Sequence, residues 1–208
     1  MVMSKRNVIY IILILFSITG IFTYFQSLPS LLEKKPSLIT GKILVRPMEI
    51  DNFELIDQNN EAFNKKSLEG GWTVLFFGYT NCPDVCPTTI YKLAEIKNGI
   101  KEDLPSANFN TVLVTLDPDR DSSERLDEYI GYFDETMLGI TGTYENIQSF
   151  TSSLSVFYQR INKEEGYDFN HTASIFVFDK DGSLYATMSP ENTVEDIESD
   201  FFTILNNF

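Results

Sequence analysis

Hydrophobic and polar positions alternate between strand-like and helix-like patterns over most of the chain after residue 48. Residues 72–80, WTVLFFGYT, and residues 109–117, FNTVLVTLD, are apolar runs rich in β-branched and aromatic side chains. Such runs are typical of strands that are buried on both faces. Residues 53–63 predict a hairpin around DQNN, and residues 173–188 predict another around DKDG.

Helix-like patterns separate these predicted strands. The helices are expected at residues 86–98, 121–133, 144–154 and 193–208, and a short strand at residues 137–142. Asp121 and Glu124 have the spacing of a capping box, so Asp121 is the expected N-cap of the second helix. The alternation predicts βαβ units, a largely parallel central sheet and a final hairpin as its antiparallel edge. This order of elements is that of an α/β, thioredoxin-like fold with an N-terminal β-hairpin.

The N-terminal pattern is different. Residues 8–25 form an apolar run without a charged residue, and two basic residues precede it. At about 1.5 Å per residue the run can just span a bilayer core, so we expect one transmembrane helix with residues 1–7 in the cytoplasm. A cleaved signal peptide is the alternative, although no A-x-A-like site follows the run. Residues 26–47, with three prolines, are the expected linker, and residues 48–208 the expected folded domain.

The charge balance excludes one class of partner. The 208 residues contain 16 Lys and Arg against 30 Asp and Glu, which gives a net charge of −14. Nucleic-acid binding needs clustered basic side chains for the phosphates, so we expect no nucleic-acid partner. An anchored domain outside the cytoplasm would lie where disulfides can form and persist.

Both cysteines of the chain, Cys82 and Cys86, follow the first buried strand. Ligands of open α/β sheets gather at the carboxyl ends of strands, so this is a position where a site is expected. Residues four apart on a helix lie about 5–6 Å from each other, which suits a disulfide and equally suits two thiolates on one metal ion. The spacing therefore leaves a redox pair, a metal site and a structural disulfide open.

His171 is the single histidine, and it directly precedes a predicted inner strand. A thioredoxin-like thiol-disulfide enzyme normally has a cis-proline in this segment, but no proline lies between Gly166 and Ser189. Two thiolates and one imidazole form a soft set of few ligands, which prefers Cu(I) and can hold Cu(II) with an additional oxygen or water. Structural zinc would need a fourth protein ligand, and the chain has no further Cys or His.

Four motifs together resemble the Sco/SenC family of copper-binding assembly factors for cytochrome c oxidase. They are FGYTNCPDVCPTT, TLDPDRDSSERLDEYI, LGITGT and FNHTASIFVFDKDG, and the resemblance covers roughly residues 45–205. It implies a thioredoxin-like fold with one copper ion per chain. It also implies a copper donor chaperone and cytochrome c oxidase subunit II as partners, with copper delivered to the binuclear centre of that subunit.

The resemblance assigns roles to individual residues. It implies that Cys82, Cys86 and His171 are the copper ligands, and that the two cysteines can also cycle between dithiol and disulfide. It implies that Asp84, inside the cysteine loop, shapes the site or its redox behaviour.

The segment DPDRD matches the family at Asp117, Arg120 and Asp121, which would lie beside the site. From the residues alone this segment equally suits helix entry and capping. One position departs from the family pattern: Asn170 stands where an acidic residue is expected before the histidine, and Asp168 is a candidate to replace it.

Together these observations predict a membrane-anchored copper metallochaperone rather than a turnover enzyme. A thiol-disulfide oxidoreductase that reduces the cysteines of the oxidase copper site is the second hypothesis, and a structural disulfide in an interaction domain is the third. The short N-terminus has no Arg-rich presequence, which favours the bacterial inner membrane, with the domain on its periplasmic side.

Overall fold

The computed structural model of the protein describes residues 5–32, 36–105 and 107–206. The chain divides into two compact units, Met1–Pro36 and Ser37–Phe208. The first unit contains one helix, α1, at Lys5–Leu32. Over the described ranges, no helix is both long and apolar enough to cross a membrane, so the transmembrane helix expected at residues 8–25 is not confirmed.

The second unit is a mixed α/β domain. Its strands are β1 Gly41–Met48, β2 Glu54–Asp57, β3 Ala62–Asn64, β4 Trp72–Gly78, β5 Phe109–Thr115, β6 Leu138–Thr141, β7 Tyr158–Asn162, β8 Tyr167–His171, β9 Ile175–Phe178 and β10 Leu184–Met188. Its helices are α2 Val85–Asp103, α3 Ser123–Gly131, α4 Tyr144–Ser153 and α5 Val194–Leu205. The hairpin β2–β3, both buried strands and all four helices lie where the sequence predicts them, with α2 extending further than expected.

Eight strands form one sheet in the order β1-β10-β9-β4-β5-β6-β2-β3. Only the pairs β4–β5 and β5–β6 are parallel, and the other pairs are antiparallel. The prediction of a largely parallel sheet is therefore wrong. The hairpin β9–β10 is interior rather than an edge, because β9 pairs with β4 and β1 covers β10.

The sheet has a hydrophobic core on each face, and β4 contributes to both. Its side chains alternate: Val74 and Phe76 pack with α2, α3 and α5, whereas Leu75 and Phe77 pack with α4 and the β2–β3 hairpin. All seven residues of β4 are buried. This burial on both faces explains the continuous apolar run in the sequence, and it fixes the end of β4, from which the cysteine loop begins.

The expected linker at residues 26–47 differs from the structure in its second half, where β1 begins at Gly41. The carboxylate of Asp200 on α5 accepts the backbone N–H groups of Ile39 and Thr40, each at 2.7 Å, and the Thr40 hydroxyl at 2.6 Å. Asp200 is buried. These bonds hold the segment that enters β1 against the domain, although its sequence has no strand-like period.

Candidate metal centre

The cysteine loop connects β4 to α2. Cys86 lies in the first turn of α2 and is fully buried, whereas Cys82 in the loop is partly exposed. Gly78, the last residue of β4, makes room for the buried thiol, since a Cβ at that position would lie 3.0 Å from Cys86 Sγ. The sequence thus places one thiol inside the domain and the other at its surface.

The two thiols are in contact but have opposite electrostatic environments. The backbone N–H of Cys86 lies 3.4 Å from Cys82 Sγ. The pKa of Cys82 is lowered to about 5, first by a hydrogen bond from the Cys86 thiol and then by the backbone N–H groups of Asp84 and Cys86. The pKa of Cys86 is raised, because its thiol donates a hydrogen bond to Cys82 and is buried. Cys82 is therefore a thiolate at neutral pH, and Cys86 holds the proton.

His171 is the last residue of β8, in a two-stranded hairpin with β7 that forms its own small sheet. A cavity of about 230 Å³ is lined by both Cys82 and His171. His171 Nδ1 lies 3.1 Å from the carbonyl oxygen of Thr172. A carbonyl oxygen can only accept, so this contact favours the tautomer of the neutral imidazole with the proton on Nδ1, in which Nε2 can bind a metal ion.

The predicted ligands are thus brought together in pairs. Cys82 contacts Cys86, and Cys82 shares the cavity with His171. In the part of the chain that the structure describes, no three His, Cys, Asp or Glu side chains form a group that could hold a metal ion. The donor types nevertheless fit copper, since two thiols and a neutral imidazole are the ligands that Cu(I) prefers.

Asp121 is placed differently from the prediction. Ser122 caps α3 instead, accepting the Arg125 backbone N–H at 3.2 Å. The fully buried Asp121 carboxylate accepts the Thr80 N–H at 3.0 Å and the hydroxyls of Thr80 and Thr115, each at 2.6 Å. It therefore fixes the chain between β4 and Cys82, which is a structural role beside the site.

Asp117 and Arg120 bind the hairpin that carries His171. The buried Asp117 carboxylate pairs with Arg120 Nε and accepts the Tyr167 hydroxyl at 2.8 Å. Arg120 also donates to the Tyr167 carbonyl oxygen at 3.1 Å, and its guanidinium lies 3.8 Å from the centre of the Tyr167 ring. The segment DPDRD thus contacts both parts of the site, the cysteine loop through Asp121 and the hairpin through Asp117 and Arg120.

Asp84 and Asp168 complete the residues that the sequence singled out. Asp84 is exposed at the start of α2, lines the cavity and makes no side-chain capping bond. The Asp168 carboxylate pairs with Lys163 and accepts from the Tyr79 hydroxyl, not from His171, and these contacts lower its pKa to about 2. The ring of His171 is instead oriented by the Thr172 carbonyl.

Tyr79 is a residue beside the site that the sequence analysis does not single out. Its ring is buried, but its hydroxyl donates to Asp168 and lies near Cys82. The hydroxyl oxygen also lies 3.5 Å from the backbone nitrogen of Phe169. A tyrosine at the end of a fully buried strand needs a partner for its hydroxyl. That need was the available signal, and the partner, Asp168, lies 89 residues away.

Comparisons with known proteins identify the family and the fold. The SCO1/SenC family model matches residues 45–206. The SCO2-like protein of Rickettsia felis is 31% identical over 201 residues, covering 92% of this chain and 96% of the relative. The structure of Arabidopsis thaliana ScoI with copper bound superposes with a TM-score of 0.73 at 28% identity, covering 76% of this chain and 99% of that one.

A further structure, that of BsSco, is described as a member of the Sco family of cytochrome c oxidase assembly proteins with a disulfide switch. It is 22% identical with a TM-score of 0.61, and it covers 76% of this chain and 93% of its own. At this identity the likeness shows the fold alone. The thioredoxin-like fold implied by the motifs is confirmed, and copper is the metal that these relatives support.

Proposed function

Because the chain belongs to the SCO1/SenC family, we propose that it is a copper metallochaperone with Cys82, Cys86 and His171 as ligands. It would bind one copper ion and assist assembly of the binuclear copper centre of cytochrome c oxidase. The observation that carries the proposal is the cavity that Cys82 and His171 both line. Cys86 contacts Cys82 from the buried side. Copper is cargo in this role, not a resident cofactor.

The protonation states favour copper capture in two stages. The lowered pKa of Cys82 favours its thiolate, and the contact of His171 with Thr172 uses Nδ1 and not Nε2. Cys86 must lose its proton on binding, since thiolates are the metal ligands. Its thiol then exchanges a hydrogen bond to Cys82 for a bond to copper. Binding should therefore release a proton, and affinity should rise with pH.

The partners follow from the same proposal. A copper donor chaperone would load the site, and cytochrome c oxidase subunit II would receive the ion. Exchange between sulfur-rich sites of similar affinity moves Cu(I) without a deep free-energy minimum. Cu(II) would need an additional oxygen or water ligand.

We also propose that residues 8–25 attach the protein to a bacterial inner membrane, with the copper domain on the periplasmic side. What supports this is the amino-acid sequence: the segment has no charged residue, and Lys5 and Arg6 precede it. Basic residues next to an apolar segment remain on the cytoplasmic side.

A thiol-disulfide oxidoreductase is the second candidate, and one observation favours it. Cys82 is partly exposed with a lowered pKa, and it contacts a buried Cys86 with a raised pKa. An accessible thiolate beside a buried partner is the arrangement of an attacking and a resolving cysteine. This activity needs both thiols but not His171, so one histidine variant separates the two functions.

The test is competition for Cu(I) between a chelator and the full-length reduced protein in detergent. Removal of an outer-shell partner lowers metal affinity by about 10- to 100-fold. We expect His171→Ala and Cys82→Ser each to lower the Cu(I) affinity by more than this. The matched control is Asn170→Ala, because Asn170 lines the same cavity and is not a proposed ligand. It should keep the wild-type affinity.

The outcomes distinguish the candidates. Wild-type affinity in His171→Ala would contradict the three-ligand site. Absence of copper binding together with rapid reaction of the reduced cysteines with a disulfide substrate would favour the oxidoreductase. Cysteines inert to both copper and disulfides would leave a structural role.

A further inference from the structure

The β7–β8 hairpin carries His171 but has no strand pairing with the eight-stranded sheet. Apart from its chain connections to α4 and β9, side-chain contacts therefore position it. Among the described residues, its hydrogen bonds to the sheet side involve Asp117 and Arg120 at Tyr167, next to the turn, and Tyr79 at Asp168 and Phe169. Rings of Tyr79 and Phe169 also pack edge to face at 5.3 Å.

From these contacts, we propose that Arg120 is a positioning residue for His171, acting through Tyr167. The inference rests on the proposed copper site and adds a residue that does not touch the metal. Arg120 contacts Tyr167 twice, by a hydrogen bond to its carbonyl oxygen and by stacking on its ring. It also pairs with Asp117, which accepts the Tyr167 hydroxyl. Three contacts thus hold one residue of β8.

The strand geometry carries this constraint to the metal ligand. Tyr167, Phe169 and His171 are two residues apart along β8, so their side chains leave the same face of the strand. Every residue of β8 is paired with β7, from Tyr167 opposite Asn162 to His171 opposite Tyr158. A paired strand of five residues moves as one piece, so the angle fixed at Tyr167 also fixes the direction of the His171 ring.

The contacts require the guanidinium group itself. Its planar fork donates to Asp117 and to the Tyr167 carbonyl oxygen while its central carbon lies over the ring. A lysine would keep the charge beside the buried Asp117 carboxylate but cannot donate in two fixed directions or stack in this way. Arg120→Lys therefore preserves the positive charge but loses the paired hydrogen bonds and the ring contact that hold the hairpin.

The experiment is a double-mutant cycle on the full-length reduced protein in detergent, with Cu(I) affinity measured by chelator competition. We expect Arg120→Lys to weaken binding by about tenfold, the lower end of the effect of an outer-shell partner. In the His171→Ala background the same change should have no further effect, because there is no imidazole left to position. Arg46→Lys on the exposed edge of β1 is the matched control and should leave affinity unchanged.

A second variant and a second measurement separate positioning from damage to the fold. Tyr167→Phe keeps the ring and removes the hydroxyl bond to Asp117, and it should show the same dependence on His171. Hydrogen exchange should show weaker protection of β7–β8 amides in Arg120→Lys, while amides of β4 and β5 keep their protection.

The cycle can overturn the inference by itself. If Arg120→Lys leaves wild-type affinity, or weakens His171→Ala by the same factor as the wild type, Arg120 does not position His171. Those results leave the proposed function intact as long as His171→Ala still loses affinity. A wild-type affinity in His171→Ala contradicts the ligand set and the positioning role together.

Discussion

Cys82 and Cys86 lie four residues apart, yet their pKa values shift in opposite directions because they occupy different environments. The loop leaves Cys82 partly exposed and surrounds its sulfur with donors. The first turn of α2 buries Cys86 against Gly78. A single hydrogen bond between the thiols stabilises the thiolate of one and the neutral form of the other.

The titration of Cys82 can be tested by its rate of alkylation in the reduced, metal-free protein. The rate should follow the thiolate fraction, with a midpoint near pH 5, whereas an ordinary cysteine titrates near about 8.5. Cys86→Ala should move the midpoint upward, because the first cause of the lowered pKa is the hydrogen bond from Cys86.

Cys86→Ser is the matched control for this prediction. Its hydroxyl retains a donor of similar size, so the midpoint for Cys82 should stay well below that of Cys86→Ala. Equal midpoints in the two variants would show that the side-chain hydrogen bond is not the main cause.

Sequence reasoning located the chemistry of single residues better than their contacts. It predicted Cys82, Cys86 and His171 as ligands from residue type and position, and that assignment stays a prediction, with Cys82 and His171 lining one cavity. It assigned Asp121 to a helix cap, because a capping box is a local pattern. The carboxylate instead binds Thr80 and Thr115, and those partners depend on the order of strands.

At the scale of elements, the strands that were not predicted from the sequence are those whose buried and exposed residues do not alternate regularly. β7 and β8 are mostly exposed or half-buried, and β1 shows no alternation. β1 is held by its pairing with β10, and β8 by polar contacts with distant residues together with Phe169, so neither strand has a regular hydrophobic face. β4 and β5, in contrast, were predicted because burial on both faces leaves a continuous apolar run.

The contact between Asp200 and the start of β1 gives a prediction at this scale. Asp200→Asn should lower the free energy of unfolding by about 2 kcal/mol, because it replaces charge-assisted bonds to two backbone N–H groups in a buried position. Urea denaturation measures the change. Asp127→Asn, at an exposed position of α3, is the control and should stay within about 0.5 kcal/mol of wild type. A loss of similar size in both variants would contradict the assigned role.

At the scale of the whole molecule, the site combines segments that are far apart in sequence. The cysteine loop follows β4, the DPDRD segment follows β5, and the hairpin with His171 precedes β9. Parallel pairing of β4 with β5 brings their carboxyl ends to one edge, and β9 pairs antiparallel to β4, so the residues that precede β9 lie near the same edge. The fold thus brings the cysteine loop and the His171 hairpin to the same edge of the sheet, and polar contacts from residues 117–121 hold both in place.

The proposed membrane attachment is the remaining property of the whole chain, and it can be tested in membrane fractions of a bacterial host. The full-length protein should resist extraction with alkaline carbonate and dissolve in detergent. Replacing Ile14 and Phe16 by lysine and arginine should release it, since each charge near the centre of an inserted segment costs about 3 kcal/mol. Leucine at both positions preserves the apolar character and should leave the protein in the membrane. Release of the wild-type protein by carbonate would contradict attachment through residues 8–25, without bearing on copper binding by residues 48–208.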